Sequence, residues 1–85
     1  MDATTLVAIE SAIAALLEAE EAIKAATLSD ADWRKVEAWL SFARTNVLRA
    51  KRARSSSWRQ VALDEVRAHT ESVKHLIALR SLQAT

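Results

Sequence analysis

The sequence predicts an all-α fold, an antiparallel up-down-up bundle of three helices joined by short loops, and three observations predict it. The 85-residue chain has neither glycine nor proline, where average usage would supply roughly 6 and 4. Without them, hairpins, bulges and phosphate-cradling loops are hard to build. Much of the remainder is alanine, leucine, arginine and glutamate, which lose little on entering a helix. Finally, apolar residues recur at helical spacing in three runs with two short polar breaks between them, and short connections make neighbouring helices antiparallel. A chain of this length reads as one domain, residues 1–85, with a modest core that leaves room for a homo-oligomer.

The first helix is expected over about residues 4–27. Leu6, Ile9, Ile13, Leu16, Leu17 and Ile23 fall within an arc of about 120° at 100° per residue. A second stripe beside it is all alanine: Ala8, Ala12, Ala15, Ala19, Ala22 and Ala26. Helix propensity accounts for such a stripe; the alternative is a close-packing face for another helix. Glu20 projects into the large-residue stripe, so it needs a cationic partner or a place at the end of the bundle, and the end is the expected place.

Ser29 caps a second helix, expected over about 30–54, with Asp32 standing where a capping-box acid belongs and Asp30 adding charge to the first turn. Trp33, Val36, Trp39, Leu40, Phe42, Ala43, Val47 and Ala50 spread over about 180°, wide enough to meet two neighbours. Trp33 and Trp39 diverge by about 120°, so at least one aromatic of this helix is expected to be part-exposed.

Ser57 with Gln60 fits a capping box, with Ser55 and Ser56 as alternative caps, and a third helix is expected over about 57–82. Serine does not forbid a helix. The alternative is therefore a helical hairpin in which the second and third helices are fused. Ala62, Leu63, Val66, Thr70, Val73, Leu76 and Ile77 form the packing face of the third helix. Nearly opposite, Val61, Ala68, Ser72, His75, Leu79 and Leu82 make a heptad-like seam where water is expected, which marks it for an oligomer or a partner.

Formal charge is +1, yet the signs are segregated. Residues 1–32 carry seven acids against Lys24 alone, a net of −6, and the rest of the chain carries +7. In an up-down-up bundle, Glu18, Glu20 and Glu21 share an end with Arg34, Lys35, Lys74 and Arg80. The opposite end gathers Arg49, Lys51, Arg52, Arg54 and Arg59 against Asp2, Glu10, Asp64 and Glu65, leaving positive charge over.

Several function classes find no foothold. With no cysteine there are no disulfides or thiolate metal sites. The apolar run from Leu6 to Leu17 is broken by Glu10 and too short to span a bilayer, and the N-terminus lacks a basic signal-peptide start, so a cytoplasmic chain without membrane contact is expected. Glu65/His69 and Glu71/His75 offer two ligands each on diverging faces, too few for a metal, and no cofactor is expected. The serines sit where caps belong and neither histidine has an orienting partner beyond a neighbouring glutamate, so no enzyme is expected. Lys51 to Arg54 is a crude nuclear address, and Arg52-Ala-Arg-Ser-Ser resembles a basophilic kinase site; both patterns are common by chance.

What remains is a small interaction module, a regulator or inhibitor that grips another protein through the arginine-rich end and apolar helix faces. Its expected partner-binding residues are Arg49, Lys51, Arg52, Arg54, Trp58 and Arg59, with Trp39 or Phe42 as a second anchor, because Trp and Arg most often dominate binding energy. One alternative is nucleic-acid binding through the basic stretch from Arg44 to Arg59. Another is a structural subunit of a helical oligomer.

Overall fold

A computed structural model describes residues 2–84 and contains three helices: α1 (Ala3–Lys24), α2 (Asp30–Arg52) and α3 (Ser56–Ala84). Among the described residues there is no strand, and each helix contacts both others, α2 and α3 most extensively. The three-helix bundle expected from composition and periodicity is the architecture. It is a rod of 46 × 20 × 16 Å, close to the roughly 44 Å that 29 helical residues span at 1.5 Å each.

The helix ends follow side-chain caps, with three departures from expectation. Asp2 caps α1, its carboxylate accepting the Thr5 amide at 2.7 Å. That hydrogen bond holds the Asp2 carboxyl below its ordinary range. Secondly, α1 ends at Lys24, three residues early, because Ala26 closes a tighter turn onto the Ile23 carbonyl at 3.1 Å and the chain then leaves the helix. Thirdly, the serine run breaks the chain: α2 stops at Arg52, Ala53 is extended, and Ser55 rather than Ser57 caps α3 by accepting the Trp58 amide at 3.2 Å. Ser57 therefore lies inside the helix, and Gln60 donates to Asp64 at 2.8 Å instead of closing a capping box. The fused hairpin does not form.

Ser29 caps α2 as expected, accepting the Asp32 amide at 3.2 Å. The Asp32 carboxylate, however, is claimed by α3. Arg80 donates its Nε to Asp32 Oδ2 at 2.6 Å and its Nη2 to Oδ1 at 3.2 Å, a two-point clamp that ties the start of α2 to the last turns of α3. The guanidinium holds the buried Asp32 carboxyl below its usual range, and the carboxylate raises the Arg80 value in turn.

The main core joins Leu16, Ala19 and Ile23 of α1 to Val36, Leu40, Ala43 and Val47 of α2 and to Val66, Val73 and Leu76 of α3. Val36, Val66 and Val73 are wholly enclosed, and each such side chain contributes about 1.5–3 kcal/mol of burial. A smaller cluster of Ile9, Ala50, Ala62 and Leu63 closes the basic end. Its alanines let α2 and α3 approach closely there.

Helix α1 is turned relative to its large-residue stripe. Ala19 is fully buried and Ala8, Ala12, Ala15, Ala22 and Ala26 are half-buried, whereas Leu6 and Leu17 are exposed. The buried set of Ile9, Leu16, Ala19 and Ile23 centres roughly 60° from the large-residue stripe, toward the alanines. The alanine stripe is thus a packing face: Ala19 lies in the main core and Ala8 and Ala12 pack against the core clusters, while Ala8, Ala12 and Ala15 border a cleft with Gln60, Leu63 and Arg67 of α3. Small side chains admit a close helix-helix approach that leucines would prevent. Glu20, expected at a free end, instead meets Arg44 of α2 at 3.6 Å.

Candidate functional site

The α2–α3 connection determines the geometry of the basic end. A helix followed by glycine satisfies its last carbonyls through a left-handed residue; this chain has no glycine, and among the described residues none takes a positive φ. Ala53 leaves α2 in an extended conformation, at φ −63° and ψ 135°. Arg59, in the first turns of α3, makes good the loss. Its Nε donates to the Ala50 carbonyl at 3.3 Å and its Nη2 to the Ala53 carbonyl at 2.9 Å. A cation on those carbonyls also opposes the negative end of the α2 dipole.

With Ser55 and Arg59 holding the turn, Trp58 stands out from the first turn of α3 at 72% exposure. It marks one end of a groove of about 920 Å³ between α2 and α3. Apolar lining comes from Phe42, Leu48 and Ala53 on one side and from Trp58, Val61 and Ala62 on the other. Arg49 and Arg52 stand along the α2 wall, while Glu65 and His69 stand along the α3 wall. The His69 ring stacks on Phe42, with centroids 5.4 Å apart and planes at 28°, and its Nε2 lies 3.2 Å from Glu65 Oε2. Buried Asn46 also lines the groove, its amide donating to the Phe42 carbonyl at 2.9 Å.

No α1 residue lines this groove. On α3, Leu63, Arg67 and Lys74 face α1, through the cleft noted above and a 3.4 Å pair between Lys74 and Glu18. Val61, Glu65 and His69 lie roughly 140–180° further round the helix. The groove is therefore the back of the α2–α3 pair, and α1 occupies the front.

Of the expected partner-binding residues, the structure brings Arg49, Arg52, Trp58 and Phe42 together at this groove. Lys51 and Arg54 are exposed nearby without lining it. Trp39 is half-buried and packs against the main core, and Arg59 is spent on the α2 carbonyls. Trp33 is exposed, at a distance from the groove in sequence and register. The α3 seam is outward-facing: Val61, Ala68, His75, Leu79 and Leu82 are exposed and Ser72 is half-buried, its hydroxyl donating to the Ala68 carbonyl at 3.0 Å.

The charge imbalance predicted for the two ends has a structural counterpart. Glu18–Lys74, Glu20–Arg44, Glu21–Lys24 and Asp32–Arg80 all pair on the acidic half of the rod. Among the described residues, Arg49, Lys51, Arg52 and Arg54 at the basic end make no ion pair within 4 Å, and neither do Arg34 and Lys35 at the acidic end or Arg67. Thr45, Asn46, Leu48, Ala53, Ala62, Glu65 and His69 are the groove residues that sequence reasoning did not single out for binding. The available signal was Leu48 itself, a leucine set among Arg44, Arg49 and Arg52 on the face of α2 expected to be wet.

No group of three or more histidine, aspartate or glutamate side chains among the described residues converges as metal ligands do, and no described helix is long and apolar enough to cross a membrane. Compared with known proteins, the chain matches no protein-family model, no curated sequence and no solved structure.

Proposed function

We propose that the chain is a small non-catalytic interaction module, a regulator or inhibitor that grips another protein through the arginine-rich end of the bundle and the groove beside it. The observation that carries this reading is the exposure of Trp58 and Phe42 next to Arg49 and Arg52, cations with no acid of their own. Aromatic and arginine side chains grouped around an apolar depression are the composition of binding hot spots. Ser29 and Ser55 serve as helix caps, in keeping with a non-catalytic role for those two hydroxyls. Placement in the cytoplasm is part of the same proposal and rests on a chain that needs no disulfide.

Nucleic acid is the less favoured partner. Arg44 is occupied by Glu20 and Arg59 by backbone carbonyls, so two of the cations in the basic stretch are withdrawn from phosphate contact. Apolar groove walls and Glu65 also suit a protein surface better than a polyanion.

The test is capture of partners from the native host by the full chain, by a Trp58→Ala variant and by an Arg49→Ala/Arg52→Ala variant, with and without nuclease. A protein retained by the wild type after nuclease treatment and lost with either variant supports the reading. Capture that disappears with nuclease, or that ignores both variants, overturns it.

A further inference from the structure

We propose that the α2–α3 groove is the seat of a single amphipathic helix from another protein, apolar where it covers Phe42, Trp58 and Val61 and acidic along the flank that meets Arg49 and Arg52. This rests on the interaction reading above and specifies the partner's chemistry.

Shape is the first argument. Two antiparallel helices leave a straight trough on each side, and a third helix is what fills such a trough by ridge-and-groove packing. The front trough of this pair is already filled that way by α1. The back one runs from Ala53 to Phe42, eleven residues of α2, so a segment of about three turns or 16 Å covers it. An extended peptide has nothing to pair with, because the helix backbones on both walls satisfy their own hydrogen bonds.

Charge is the second argument, and it is one-sided. Arg49 and Arg52 on the α2 wall lack acidic partners, whereas Glu65 on the α3 wall already has His69 at 3.2 Å. An occupant with acids along one flank neutralises the arginines without setting a second carboxylate beside Glu65. The occupant of the front trough is of the same kind, an acidic helix with an apolar stripe. A second copy of this chain fits poorly: its exposed Leu6, Glu10 and Leu17 lie on α1, at the front, so pairing them with the groove at the back joins molecules head to tail without closing.

The experiment uses the full chain and fluorescently labelled synthetic helix-forming peptides of about five turns, long enough to hold helical structure. One peptide has leucines at heptad spacing and glutamates along one flank; a second replaces those glutamates with lysines; a third scrambles the stripe at equal composition. Anisotropy titration is expected to show saturable binding of the acidic peptide, at least about tenfold weaker binding of the lysine and scrambled peptides, and a loss of at least about tenfold with Trp58→Ala. An Arg49→Glu/Arg52→Glu variant, its fold checked by circular dichroism, is expected to prefer the lysine peptide. Equal binding of all three peptides, or no saturable binding up to about 1 mM, overturns the proposal. So does a protein mass that grows with concentration, is unchanged by the acidic peptide and stays monomeric in Trp58→Ala, which makes a second copy the occupant. Failure of the peptides alongside Trp58-dependent capture from the host removes the acidic helix and leaves the interaction reading standing; failure of both removes both.

Discussion

Replacing Arg59 with methionine separates the architectural arginine of the basic end from its neighbours. Methionine keeps an unbranched stem of similar length and removes the guanidinium, so packing changes little while both hydrogen bonds to the Ala50 and Ala53 carbonyls are lost. A hydrogen bond to a charged group is worth about 1.5–3 kcal/mol net. Two features reduce that figure. One bond is long at 3.3 Å, and the residue is half-buried, so water can reach the vacated carbonyls. Both bonds and the dipole effect together then come to about 1–2 kcal/mol. At about 4–8 °C per kcal/mol for a domain of this size, the melting temperature should fall by roughly 5–15 °C. Arg59→Lys, which keeps the charge but not the fork, should recover about half of the loss. Arg52→Met, at an exposed residue without an ion pair, should stay within about 0.5 kcal/mol of wild type. Urea titration and thermal melting followed by far-UV circular dichroism give all four values. If Arg59→Met costs no more than Arg52→Met, Arg59 is not a cap for α2 and the account of how a glycine-free chain closes this turn is wrong.

Three further expectations concern α1 and the acidic end. Ala19→Leu should destabilise by about 1–3 kcal/mol through overpacking, while Ala14→Leu, on the exposed side of the same helix, should be nearly neutral in the same melt. Leu16→Ala should cost about 2–5 kcal/mol and Leu17→Ala less than about 1 kcal/mol, because Leu16 is buried and Leu17 is 56% exposed; equal costs would restore the large-residue stripe as the packing face. Asp32→Asn should lower stability at neutral pH and flatten its dependence on acid. The Asp32 carboxyl titrates below its ordinary value, Arg80 being the main cause, so the stabilisation is complete above the unfolded value of about 3.9 and is lost as pH falls through the lower folded value. Melts recorded across that range should show wild type and variant converging in acid, and parallel curves would mean that the clamp contributes nothing.

The class of fold was legible in composition and period because those signals are local. Ser29 was legible too, since a cap and its target amide lie within one turn. The rotation of α1 was not: hydrophobicity ranks leucine above alanine for burial, but how closely two helices approach depends on the partner surface, and here the bundle encloses Ala19 completely, where a leucine would overpack. The early end of α1 and the choice of Ser55 among three serines were equally hidden, because each depends on where the next helix must be docked. At the candidate site, Arg49, Arg52, Trp58 and Phe42 were nominated from residue type alone, and the groove unites them. Arg59 and Trp39 belong to the same types and differ only in tertiary surroundings that no short-range pattern encodes. The Asp32–Arg80 clamp spans 48 positions of sequence and could be read only as a shared end of the bundle.

The uneven pairing of charges along the rod also affects how partners arrive. The molecule has almost no monopole, +1 in total, yet four of its unmatched cations, Arg49, Lys51, Arg52 and Arg54, cluster at one tip of a body 46 Å long. At physiological ionic strength a field decays over about 8 Å, so the far, self-neutralised end does nothing to cancel the near one. To an approaching anion the tip presents Arg49, Lys51, Arg52 and Arg54 without ion-pair partners among the described residues, a small positive surplus once Asp2, Glu10, Asp64 and Glu65 at the same end are counted. Encounter is then oriented and faster in dilute salt, while residence depends on the apolar trough that begins beside the tip. On this arrangement, added salt slows arrival much more than it hastens departure.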